Sequence, residues 1–194
     1  MAMVGAMAKI VRQTDSNDLV SRARTEADAL GRLYGLYYER IFRFCVLRLF
    51  SKEAAEDVTS TVFLEVARRI RTFAGRTERD FQNWLLRIAV NQANAYIRKT
   101  SRRNKLLAEA AGSMMTTDES TESLPELDWP RLYQAILKLK PEHQTIVTLR
   151  FFENMEFEQI GQILEARPAT VRVISHRILK KLRKHLQTVC DGEA

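Results

Sequence analysis

Glycine, proline, histidine and cysteine are all scarce in this chain of 194 residues, with seven, four, three and two copies respectively. Few glycines and prolines leave few places where a helix must break, so the pattern favours helices. None of His143, His176 and His185 has a cysteine or carboxylate at zinc-ligand spacing, and no glycine loop is built to cradle phosphate. The neighbouring carboxylates Glu56 and Asp57 are the remaining candidate for Mg²⁺. Adjacent side chains on a helix diverge, however, and acids in a first turn already complement the helix dipole. No metal, cofactor or catalytic constellation is therefore expected. Cys45 and Cys190 stand far apart, and Cys45 lies between Phe44 and Val46, which reads as a reduced, buried thiol in a cytoplasmic protein. No apolar run approaches the roughly 20 residues needed to span a bilayer, so no membrane insertion is expected. The opening MAMVGAMAK lacks the basic n-region of a signal peptide.

What is abundant is positive charge. The formal net charge is +7 and the pI about 9.6, which points to a polyanionic partner, nucleic acid ahead of membrane surface. A hydrophobic content of 45% is enough for a packed core. The length suits one ordinary domain or two small ones.

The organisation reads as all-α. After an N-terminal stretch, 1–17, expected to be flexible, residues 18–105 hold successive amphipathic helices. The first carries Leu30, Leu33, Tyr34, Tyr37, Tyr38, Ile41, Phe42 and Cys45 at three- and four-residue steps. Ser51 is placed to cap a second helix running towards Ile70, and Asp80 a third reaching about Lys99. From Leu106 every charge is acidic, and MTTDESTES has no helical stripe, so 106–127 reads as a flexible linker. A second helical block, 128–187, has Pro141 and Pro168 near helix starts, followed by a tail, 188–194.

The last helix repays reading face by face. Val171, Ile178, Leu182 and Leu186 fall on one side, with Ser175 and Leu179 beside them. Arg172, His176, Arg177, Lys180, Arg183 and Lys184 cover the other side without a single acid. Any amphipathic helix needs a polar outside, and a solvated basic face is the plain alternative. A short helix directly before it makes the pair a helix-turn-helix, which lays its second helix in the DNA major groove. Arg172 and Arg177 then reach phosphates or guanine edges, and Val173, stranded among the charges, meets a thymine methyl. The turn is unusual, because Glu165 stands where glycine commonly relieves left-handed backbone strain.

The helix FQNWLLRIAVNQANAYIRK carries a second signal. Phe81, Trp84, Leu85, Ile88 and Tyr96 form an apolar side, while Asn83, Arg87, Asn91, Asn94 and Arg98 project within about 80° of one another. Asn is a poor helix former, and amides and guanidiniums are directional hydrogen-bonding groups. Such a row can read the exposed edges of unpaired bases, with Phe73 and the arginine-rich loop around Arg76 just upstream. The alternative is a polar outer face that supports neighbouring loops.

Two such modules on a tether resemble bacterial RNA polymerase sigma factors of the compact extracytoplasmic-function (ECF) group. LYGLYYERIFRF with EAAEDVTSTVFLEVAR is similar to the first half of the family's second region, and FQNWLLRIAVNQANAYIRK to the second half. The stretch from LKLKPEHQTIV to ILKKLRK is similar to region four. The resemblance implies a transcription initiation factor that binds core RNA polymerase and a two-element promoter, with an anti-sigma protein as a further partner. It places core-polymerase contacts at Glu56, Asp57, Ser60, Thr61, Phe63 and Leu64. Contacts to the unpaired downstream element fall at Phe73, Arg76, Asn83, Arg87, Asn91, Asn94 and Arg98. Upstream duplex contacts fall at Arg167, Thr170, Arg172, Val173, His176, Arg177 and Lys180. The chain departs from the family pattern at Ser60 and Thr61, where Gln and an acid are usual, and at Ala67, Ala95 and Ile174. The competing readings are a stand-alone helix-turn-helix regulator, which would leave the amide row idle, and a divergent sigma-like interaction protein.

Overall fold

The structure, a computed structural model, describes residues 17–111 and 129–190, with side chains over 17–103 and 132–184. Most of the expected N-terminal stretch, the linker beyond Ala111 and the end of the tail lie outside these. The described residues are helical, with no strand among them. They divide into two compact units, one holding the residues up to Ala93 and the other those of 94–161 and from Ala166 on, with Gln162–Glu165 grouped with the first.

In the first unit, a helical stretch over 17–22 and a turn precede α1, Ala27–Leu49. Leu33, Tyr37, Ile41, Phe44 and Cys45 recur at helical spacing and are buried. Each large apolar side chain removed from water in this way contributes about 1.5–3 kcal/mol. Phe50 ends α1 in the left-handed conformation, its N–H donating to the Val46 carbonyl at 2.8 Å. Ser51 then caps α2, Lys52–Arg69, accepting from the Ala54 N–H at 3.2 Å, as its place in the sequence leads one to expect. Ala54, Ala55, Val58 and Val62 bury one face of α2, their small side chains permitting close approach to α1. Burial pushes the Cys45 thiol up to about 11, which keeps it protonated and unreactive. The same core encloses Arg48, 1% exposed, whose guanidinium burial lowers to about 10 without discharging it at neutral pH.

A single 3₁₀ turn, Ile70–Thr72, leads to the loop before α3, Glu78–Ala111. The sequence placed Asp80 at the N-cap of this helix, but Thr77 holds that position. The Thr77 carbonyl accepts the Phe81 N–H at 3.1 Å, and its hydroxyl accepts the Asp80 N–H at 3.1 Å. Asp80 returns a carboxylate oxygen to the Thr77 N–H at 3.0 Å, completing a reciprocal capping box. The far end also differs. Instead of stopping near Lys99, α3 runs to Ala111, into the stretch read as linker. The reason is local: SRRNKLLAEAA is made mostly of strong helix formers, and the next glycine is Gly112.

The second unit holds α4 (Trp129–Leu137), α5 (Pro141–Val147), a π-helical stretch (Thr148–Phe152), α6 (Phe157–Leu164) and α7 (Pro168–Cys190). Pro141 and Pro168 are the first residues of their helices, where a missing N–H leaves nothing unsatisfied. Both α4 and α5 pack on α7 around Ile136, Leu139, Ile146, Leu149, Val171 and Ile178. Buried Gln144 donates its amide to the carbonyls of Leu137 (3.3 Å) and Leu139 (3.0 Å), supplying partners to the end of α4. Among the described residues no helix is long and apolar enough to cross a membrane, and no group of His, Cys, Asp and Glu could hold a metal ion.

Candidate nucleic-acid interface

The turn between α6 and α7 rests on two residues. Glu165 is the left-handed one, with φ of 55°, a conformation that costs a residue other than glycine about 1–2 kcal/mol. The glycine lies earlier. The Ala166 N–H donates to the Gly161 carbonyl at 2.9 Å, and a Cβ at Gly161 would sit 2.6 Å from the Ala166 carbonyl oxygen. Backbone meets backbone there, so only glycine fits. The Arg167 carbonyl accepts the Val171 N–H at 3.1 Å, which sets the first turn of α7.

That helix divides cleanly. Val171, Ser175, Ile178 and Leu182 are buried, while Arg167, Thr170, Arg172, His176, Arg177 and Lys180 are exposed and Val173 is 50% exposed. Leu179, expected beside the apolar side, is exposed too, because it lies at the margin of the buried stripe. Arg172 is not a loose side chain. Its guanidinium stands 5.3 Å from the centre of the Phe157 ring at the start of α6. Arg150 approaches the same ring at 4.8 Å and is itself fixed by donating to the Met155 carbonyl at 2.8 Å. Neither Arg150 nor Phe157 stood out in the sequence. They belong to different local patterns, and only folding stacks them.

On α3, Asn91 and Arg98 are exposed, and Asn83, Arg87 and Asn94 are half-buried. Phe81, Leu85 and Ile88 are buried as the apolar side requires, with Trp84 and Tyr96 half-buried. The loop before α3 is tightly organised. The Asp80 carboxylate accepts the Arg76 N–H at 3.1 Å besides that of Thr77. These bonds, the Thr77 side chain's first, hold its carboxyl below the usual aspartate value. Arg76 is exposed, but Phe73 is only 9% exposed, its ring packed 4.8 Å from Trp84 and 6.0 Å from Phe81. Phe73 is therefore a floor beneath the loop and not an open platform for stacking. A Cβ on Gly75 would strike that ring at 2.2 Å, so the loop lies directly against it.

On α2, Glu56, Asp57, Ser60 and Thr61 are exposed, and Leu64 is 58% exposed. The Thr61 hydroxyl donates to the Asp57 carbonyl at 2.9 Å, a bond within the helix that occupies its proton. Phe63 is buried, its ring 4.7 Å from Tyr34 and 6.3 Å from Tyr38. Tyr34 and Leu36 of α1 are exposed, although Tyr34 belongs to the apolar stripe of its helix. Together with Leu64 they mark this unit as one with large apolar side chains left facing water.

Comparison with known proteins bears on the same two stretches. The family model for Sigma-70 region 2 matches residues 33–103, and that for Sigma-70, region 4 matches residues 135–184. The ECF RNA polymerase sigma factor BldN of Streptomyces coelicolor is 33% identical over 175 residues, covering 87% of this chain and 65% of that protein, so the chain spans about two-thirds of BldN's length. The ECF RNA polymerase sigma factor SigW of Bacillus subtilis is 30% identical over 172 residues, 84% of this chain and 91% of SigW. In fold, the chain is similar to the sigma factor RpoE solved with the anti-sigma factor NepR from Bartonella quintana, with a TM-score of 0.65 over 81% of this chain and 96% of that one, at 16% identity. A helix with an exposed basic face, an amide-bearing helix and relatives matched along most of their length lead to one conclusion: the chain belongs to the ECF group of RNA polymerase sigma factors, which recognise promoters in transcription initiation.

Proposed function

We propose that α7 reads the upstream promoter element as duplex, that α3 and the loop before it capture the unpaired downstream element, and that α2 docks the chain on core RNA polymerase. The observation that carries this reading is the division of α7, where Arg172, Val173, His176, Arg177 and Lys180 are exposed together without an acid among them. Arg172 and Arg177 supply bidentate donors for guanine edges or phosphates, Val173 an apolar contact for a thymine methyl, and Arg167, Thr170 and Lys180 backbone contacts. The Phe157 ring steadies the Arg172 head, which lowers the entropy lost when it binds.

On α3, Asn91 and Arg98 are the open members of the row, and Asn83, Arg87 and Asn94 flank them. Captured bases offset the few kcal/mol, roughly, that each unstacked step costs. On α2, Glu56, Asp57, Ser60, Thr61 and Leu64 form the docking face, with Phe63 supporting it from below. A single helix-turn-helix binds DNA modestly and steeply in salt, so joining two contacts through a shared polymerase raises their effective concentration. The protein works in the cytoplasm, where promoter and polymerase are. An anti-sigma partner belongs to the same reading, since the similar RpoE fold was solved in complex with one.

Reconstituted transcription tests this directly. Core polymerase with the chain is expected to start transcripts from a two-element promoter, and core alone is not. A chain that binds promoter duplex without core, and starts nothing with it, is a stand-alone regulator instead.

A further inference from the structure

The loop before α3 is held by a segment far away in sequence. The Arg24 guanidinium donates to the Gly75 carbonyl through Nη2, and its carbon lies 5.7 Å from the centre of the Phe73 ring. Asn17 accepts the Glu78 N–H on its side-chain oxygen at 2.6 Å, satisfying a donor at the open N-terminus of α3. Leu19, Val20 and Ala23, between these two residues, are buried, so the segment is anchored and not merely leaning on the loop. At the same end of α3, the Tyr37 hydroxyl donates to the Glu78 carboxylate at 2.8 Å, and Gln82 donates to the same carboxylate at 3.1 Å. Arg24 thus holds the loop at Gly75, and Asn17 and Tyr37 hold its junction with α3 at Glu78. Neither Arg24 nor Asn17 points towards the row on α3 through any bond of its own.

We propose that Arg24, aided by Asn17, is a positioning residue for capture of an unpaired base: it fixes the loop 73–77 in the shape that receives the base, without touching DNA. The inference rests on the reading of that loop as part of the downstream-element surface. Its physical logic is that a five-residue loop bearing a glycine has several shapes of similar energy. A charged donor on the Gly75 carbonyl selects one of them, and a loop already in its binding shape loses less freedom when the base arrives.

The test uses holoenzyme reconstituted from core polymerase and the full chain, on a promoter template already opened over the downstream element and carrying 2-aminopurine at its unpaired positions. Arg24→Ala is expected to weaken capture roughly tenfold, the equivalent of one charge-assisted hydrogen bond, with binding to upstream duplex unchanged. Arg24→Lys keeps a cation within reach of the carbonyl and restores part of the loss, and Asn17→Ala gives a smaller loss. Capture equal to wild type in Arg24→Ala and Asn17→Ala overturns the proposal. So does a loss that simply follows a fall in melting temperature and that Arg24→Lys does not repair, since Arg24 is then only part of the scaffold. If Arg24→Ala does not fold, Arg24→Lys and Asn17→Ala decide by the same criteria. Arg76→Ala separates the two layers of argument: a silent Arg76→Ala alongside a silent Arg24→Ala removes the loop from the downstream surface, whereas loss in Arg76→Ala alone removes only the role of Arg24.

Discussion

The two surfaces proposed to meet DNA are built in opposite ways. The upstream one is nearly continuous in sequence: turn, glycine contact and exposed cations all fall between Gly161 and Lys180. The downstream one, as proposed, joins α3 to the loop before it, and the hydrogen bonds that hold the loop and the start of α3 span 51 and 61 positions along the chain. A duplex offers the same rigid groove wherever it is read, so one preformed helix suffices. Unpaired bases have no fixed shape, and a surface that captures them needs a pocket held from several directions. Local construction should therefore fail at single residues, and non-local construction by degrees.

The largest expected effect is at the glycine contact. Gly161→Ala puts a methyl against a backbone carbonyl that cannot swing aside, so the second unit should lose about 2–3 kcal/mol in a denaturant titration. A neutral result would show that the turn relaxes and weaken the claim of rigid, local construction.

Next come the two residues proposed to read DNA. Arg172→Ala in holoenzyme should weaken upstream duplex binding by about 1–3 kcal/mol and leave downstream melting on a pre-opened template intact. Asn91→Ala should do the reverse, reducing permanganate reactivity of the downstream element while duplex binding stays normal. Equal loss of duplex binding in both variants would erase the division of labour. Phe157→Leu sharpens the point. Its effect should be smaller than that of Arg172→Ala and should vanish in the Arg172→Ala background, as a double-mutant cycle on duplex affinity can measure.

A smaller effect has the opposite sign. Glu165→Gly relieves a left-handed residue and should stabilise the α6–α7 turn by about 1 kcal/mol, raising the melting temperature of the chain by a few degrees. Smallest is the pH dependence of the loop on the first unit. The Asp80 carboxyl titrates below its ordinary value of 3.8 in the fold, so its contribution is fully present above that value and is lost as the pH falls through the lower, folded one. The stability gap between wild type and Asp80→Asn should close below about pH 4 in thermal melts.

The helices and their apolar faces were legible because each depends on residues three and four apart. Leu33, Tyr37, Ile41 and Cys45 lie buried on α1 where periodicity put them, and Val171 and Ile178 do so on α7. The exposed cations of α7 were legible for the same reason. Other features were not. Whether Phe63 and Phe73 face water depends on Tyr34, Tyr38, Trp84 and Phe81, all of which stand on a different element from the ring they cover. The cap at Thr77 is masked by its acidic partner Asp80, since both are good capping residues three positions apart and only the backbone says which one begins the helix. The end of α3 is hidden because acidic composition suggests a linker where helix propensity prevails.

Sequence alone determined that this protein is helical, that one helix turns a basic face outward, and that another carries a row of amides, because a helix converts spacing into direction with no help from the rest of the chain. Tertiary structure alone decided which aromatic rings are floor and which are surface, that Phe157 steadies Arg172, and that Arg24 grips Gly75. Contacts between distant residues leave no periodic trace in a sequence, since closing the intervening chain is a property of the whole fold.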